Sequence, residues 1–200
     1  MKLLERAKLL QAIGFLEQGA DLAAIVAAAE SGEIDAEYGP ATALLVAAGK
    51  VLEIRAGELS QPEDIPGIIE RIRVFTGSRL TITDVSATSL GPLELEAYDE
   101  EEDEGPSPVD LSSERIAVRF RINGNPVETQ VIRIEDSIDL GFIDDIQDHL
   151  DQLGEKRQIC PLVELMDDTA RFVFIEPAKM EEAELREVIT APDFEDEDED

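Results

Sequence analysis

The sequence predicts an α+β fold: an N-terminal helical region followed by a mainly antiparallel sheet with helices on one face. Three observations predict it. Apolar side chains recur at three- and four-residue spacing over residues 1–72, the pattern switches to alternation from about residue 73, and the alternating part holds a strong hairpin signal.

Taken in order, Leu3, Ala7, Leu10, Ile13 and Leu16 share one helical face, Gly19 is placed to end that helix, and Asp21 is placed to cap the next, LAAIVAAAE, which Gly32 stops. A third helix is expected to open at Gly39-Pro40, where proline suits the first helical turn, and to continue through ATALLVAAGKVLEIRA to Gly57. Ser60 and Glu63 have the spacing of a capping box ahead of Ile65, Ile68, Ile69 and Ile72, which predicts a short fourth helix. The spacing shows no fixed-period repeat.

Beyond residue 73, RLTITDVSATS and PLELEAY read as strands, and an acidic loop is expected over 94–108. ERIAVRFRI and ETQVIRI flank Asn123-Gly124-Asn125-Pro126, whose Asn and Gly tolerate positive φ, so a hairpin is expected there with Pro126 in the turn. A helix from about Gly141 to Leu153 gathers Phe142, Ile146, Leu150 and Leu153 on one face. The strands RQICPLVEL and ARFVFIE follow, then a helix from Pro177, which completes a β-β-α-β-β-α unit. The expected division is a helical region at 1–72, an α+β domain at 73–190, and a disordered acidic tail at 191–200.

Composition narrows the function. Hydrophobic residues make up 43% of the chain but aromatics only 4%, so the core must rest on Leu, Ile, Val and Ala. The formal net charge of -30 disfavours nucleic acid and anionic membrane surfaces, both of which are bound through cations. The lone Cys160 cannot close an intramolecular disulfide, and Glu5, Glu17 and Asp21 interrupt the apolar runs of the N-terminus. A cytoplasmic location is therefore expected, with neither secretion nor membrane insertion.

Each candidate site has a plainer role beside it. His149 and Cys160 could pair as base and nucleophile, but Cys160 sits in an apolar strand pattern where a buried cysteine is ordinary. Asp144, Asp148 and Asp151 fall at i, i+4 and i+7 of a helix, with Asp145 and His149 also four apart. These are the complement of its apolar face, which favours a solvated surface over a cation site. The common phosphate, hydrolase and zinc signatures are absent, so no catalytic residue, metal site or cofactor is assigned. The candidate partner-binding residues are Glu100, Glu101, Glu102 and Asp103 of the acidic loop together with Asp144, Asp148 and Asp151.

The segment DLGFIDDIQDHLDQLGEKRQICPLVEL, followed by ARFVFIEP, resembles small uncharacterised bacterial proteins, some of toxin–immunity type, over residues 119–177. That resemblance implies a cytosolic protein that covers a toxin's active surface, and it carries over no functional residue. The leading expectation is a non-enzymatic acidic binding protein of immunity or inhibitor type with a basic protein partner. The alternatives are a hydrolase using carboxylates in a cleft between the helical region and the sheet, and a structural or assembly component.

Overall fold

A computed structural model describes residues 1–31, 39–77, 79–93, 113–134, 137–162 and 169–189. Its elements, in chain order, are α1 (Leu3–Ile13), α2 (Leu22–Glu30), α3 (Pro40–Ala47), β1 (Leu52–Arg55), α4 (Ile65–Phe75), β2 (Ile82–Pro92), β3 (Ser113–Ile122), β4 (Asn125–Ile134), β5 (Ser137–Ile138), α5 (Phe142–Gln152), β6 (Gln158–Leu162), β7 (Thr169–Ile175) and α6 (Pro177–Leu185). They form a mixed α+β fold with N-terminal helices and mainly antiparallel pairing, as the sequence predicts.

The chain divides into two units at points other than the expected boundary at 72/73. The first unit is Met1–Glu53 with Gly154–Asp200, and the second is the intervening Ile54–Leu153. The β-β-α-β-β-α order is present, but its two hairpins belong to different sheets. One sheet has the order β1-β7-β6 and the other the order β2-β3-β4-β5.

In the first unit, α1 stops at Ile13, six residues ahead of Gly19, because Gly14 takes the left-handed conformation (φ 104) and donates its N–H to Leu10 O at 3.1 Å. Asp21 caps α2 as predicted, accepting from the N–H groups of Ala23 and Ala24 at 3.1 Å each. Pro40 occupies the first turn of α3, but that helix ends at Ala47. Residues 52–55, expected to be helical, form β1 instead. Gly49 turns the chain at φ 64, and the burial of Leu52 and Ile54 then follows a period of two. Leu10, Leu44 and Leu45, all fully buried, join Leu162, Val173, Ile175 and Ala183 in one apolar core.

The second unit has two layers. Asp64, one residue past the expected Glu63, accepts from the N–H groups of Gln61 and Ser60 at 2.9 and 3.2 Å and so opens the turn into α4. Along β3, Ile116, Val118, Phe120 and Ile122 are buried while Arg115, Arg119 and Arg121 are exposed. The helices α4 and α5 pack against the sheet, α4 on β2 and α5 on β3 and β4, and no described helix packs on the opposite face, where Arg115, Arg119 and Arg121 are exposed. At the hairpin, Asn123 (φ 52) and Gly124 (φ 83) make a two-residue turn. Pro126 lies beyond that turn, in β4 opposite Arg121. This is the pair next to the turn-closing pair Ile122–Asn125, so the proline nitrogen points away from β3 and no ladder bond is lost.

Candidate functional site

The sequence FIDDIQDHLDQ builds α5 as an amphipathic helix. Phe142, Ile146 and Leu150 are each 0% exposed and fix one face against the sheet, whereas Leu153, expected on that face, lies past the end of the helix and is exposed. The other face presents Asp144, Asp148 and Asp151 to solvent, as the i, i+4, i+7 spacing predicts. Two acids in the first turn, Asp144 and Asp145, also complement the positive end of the helix dipole. No ion pair holds Asp144, Asp148 or Asp151 among the described residues, and Asp151 accepts a 2.7 Å hydrogen bond from Gln147 Nε2.

Asp145 behaves differently because it turns toward β4. Burial, with the nearby charges of Asp148 and Asp144, pushes its carboxyl above the usual carboxylate range, and a hydrogen bond with Thr129 and the neighbouring His149 offset part of that rise. His149 Nδ1 lies 2.8 Å from the carbonyl oxygen of Asp145. A carbonyl only accepts, so Nδ1 carries the proton and the imidazole is tied into its own helix. Cys160 is half-buried beside the core of the other unit, and burial, with a smaller contribution from Glu184, pushes its thiol up. A raised thiol is the reverse of what a nucleophile requires. Glu100, Glu101, Glu102 and Asp103 lie outside the described residues, so only the helical half of the predicted acidic surface is in view.

The open face of the same sheet carries residues that periodicity alone did not single out. Arg119 Nη2 pairs with Glu128 at 2.8 Å, and Arg121 Nε pairs with Asp84 at 3.3 Å. Asp84 stands at φ 55 inside a bulge of β2, a conformation that aspartate tolerates better than most residues. Around these pairs an open concavity of about 510 Å³ is lined by Asp84, Ser86, Arg119, Arg121, Pro126 and Glu128, with parts of Phe120 and Val127. The signal is present in R-I-A-V-R-F-R, where one set of alternate positions is Arg115, Ala117, Arg119 and Arg121 and the arginines are exposed. Ala117 is buried on that face between its strand partners Thr88 and Gln130.

Among the described residues, no three His, Cys, Asp or Glu side chains are grouped to hold a metal ion. No helix among them is long and apolar enough to cross a membrane. Comparison with protein families, curated proteins and solved structures finds no match to this chain.

Proposed function

We propose that this protein is a non-enzymatic acidic binding protein that engages a basic protein partner through α5, in the manner of immunity and inhibitor proteins, in the cytoplasm. The observation that carries this reading is the display of Asp144, Asp148 and Asp151, exposed and unpaired among the described residues, on a helix whose other face is fully buried. Such carboxylates meet a partner without first breaking an internal ion pair, and the packed helix needs no ordering on binding. Other acids of the same unit, Glu58, Glu70, Glu114 and Glu128, are already matched to Arg71, Arg73, Arg133 and Arg119. The acidic run Glu100–Asp103 would add electrostatic steering.

The test begins with affinity capture of a basic protein at low salt, followed by titration of that purified protein. Replacing Asp144, Asp148 and Asp151 together by Asn should weaken the complex at least about tenfold and flatten its salt dependence. A complex that the triple variant forms with undiminished affinity rejects α5 as the docking element. Failure of any basic protein to bind the intact fold rejects the function.

A further inference from the structure

The uncovered face of the four-stranded sheet opposes the layer that carries α5, and its chemistry is the inverse. Three of its exposed positions on β3 are Arg115, Arg119 and Arg121. The second unit holds eight arginines and no lysine, although the chain as a whole has five lysines, all in the first unit. Arginine presents five N–H donors in a planar fork suited to carboxylates, which lysine does not. The internal partners do not exhaust these donors: Arg119 and Arg121 keep side-chain exposures of 53% and 50% in their ion pairs. Arg115 has no side-chain hydrogen bond or ion pair among the described residues.

Apolar surface lies beside this row. Ile132, directly across from Arg115, is 37% exposed, while Ile134 and Leu90 are 48% and 43% exposed at the same end of the sheet. Aliphatic surface next to arginine, with lysine absent, is the composition of an interface core rather than of an ordinary solvated face. The edge of β2 is less suited to pairing, because bulges between Thr83 and Ser86 and between Ser89 and Gly91 break its register.

We propose that this open face docks an acidic protein segment in extended conformation, with carboxylates at alternate positions and aliphatic side chains at its end. Spacing argues for an extended ligand. Arg119 and Arg121 stand two residues apart, about 7 Å along the strand, and Arg115 is a further four residues away. Carboxylates two residues apart in an extended chain repeat at that interval, whereas carboxylates four apart on a helix stand about 6 Å apart and drift off one line. The overall charge of -30, and the 23 carboxylates set against eight arginines in this unit, do not forbid the contact, since screening at physiological salt leaves charges within about 8 Å to decide it and Arg115, Arg119 and Arg121 are exposed there. The inference goes beyond the α5 reading, because it assigns a second partner of opposite charge to the opposite layer.

Fluorescence anisotropy with a labelled peptide of alternating Glu and Leu that ends in three consecutive leucines, so that aliphatic side chains there share the glutamate face, tests it on the full chain. The peptide should bind saturably and lose affinity as salt rises, and a Lys-Leu peptide of equal length should not bind. Arg115→Glu, Arg119→Glu and Arg121→Glu together should weaken binding at least tenfold, and Arg115→Gln alone about threefold. The single change removes no ion pair seen in the structure, so it covers the case in which the triple variant is unstable. Ile132→Ser with Ile134→Ser should weaken binding without changing the salt slope, while the Asp144, Asp148 and Asp151 triple variant should bind the peptide as the unaltered protein does. That last arm separates this face from the α5 reading. The proposal is overturned by absence of saturable binding, by equal binding of the Lys-Leu peptide, or by indifference to Arg115→Gln. It is also overturned by a doubling of mass in light scattering that the arginine substitutions abolish, which would give the face to a second copy.

Discussion

The first unit buries an arginine in its interior, while none of the eight arginines of the second is buried, Arg73 and Arg133 being half-buried and the other six exposed. Arg171 on β7 is only 3% exposed and meets Glu53 of β1 through Nε at 3.2 Å. Among the described residues, the buried interior of the second unit is apolar apart from Thr76, whose hydroxyl donates to Ile72 O at 3.0 Å. A buried guanidinium needs a matched acid, whereas exposed pairs each contribute no more than about 1 kcal/mol. The contrast teaches that charge in the first unit is tied to folding. In the second unit the described buried side chains are almost all aliphatic or phenylalanine, and its ion pairs lie nearer the surface.

The largest expected effects test whether apolar packing carries both units. Phe142→Ala empties a fully buried site under α5 and should destabilise the protein by about 3–5 kcal/mol, and Leu44→Ala in α3 by about 2–5 kcal/mol. Chemical denaturation followed by circular dichroism measures both. A loss below about 1 kcal/mol for either would mean that its site collapses on truncation and that the core described for that unit is not what holds it.

A sharper test sets the two kinds of ion pair against each other. Glu53→Ala removes the carboxylate facing Arg171 and should cost about 2 kcal/mol, the range for a hydrogen bond to a charged group, reduced because Glu53 keeps 29% of its side-chain exposure. Glu128→Ala, which breaks the exposed pair with Arg119, should cost less than about 1 kcal/mol. Equal losses in the two variants would erase the distinction between the units.

How much of this was legible depended on the range over which each signal acts. The Asp21 cap, the α5 face and the Asn123-Gly124 turn are each decided within one or two turns of chain, and all three were readable. The end of α1 was not, because Gly14 and Gly19 are the same residue and only the backbone at Gly14 shows which one closes the helix. β1 is not separable from the preceding helix in the sequence because VLEIRA also fits a helical period, and what makes it a strand is the partner β7, more than a hundred residues away. For the same reason the two hairpins could not be assigned to separate sheets. At the candidate site, the exposed aspartates follow from the complement of an apolar stripe. The arginine face needed the knowledge that no helix among the described residues packs on that side of the sheet.

The smallest predicted effect falls on the carboxylate that lies between folding and recognition. Asp145 sits on the same helix as the three exposed acids, but burial holds its pKa above the ordinary value. A raised carboxyl means that the folded state binds the proton more readily than the unfolded state, so stability falls as pH rises through the folded-state pKa. Above that pKa the carboxylate of Asp145 therefore weakens the fold slightly. Asp145→Asn keeps an acceptor for Thr129 and removes the charge facing Asp144 and Asp148. It should raise the melting midpoint at pH 7 by less than the change seen on Glu128→Ala, and that gain should vanish as pH drops below the carboxylate range, where the native residue is also neutral. Because Asp145 faces β4, the substitution should leave binding of a basic partner unchanged, in contrast to loss of Asp144, Asp148 and Asp151. A gain that persists at low pH would show that charge is not the cause, and weakened partner binding would move Asp145 into the recognition surface.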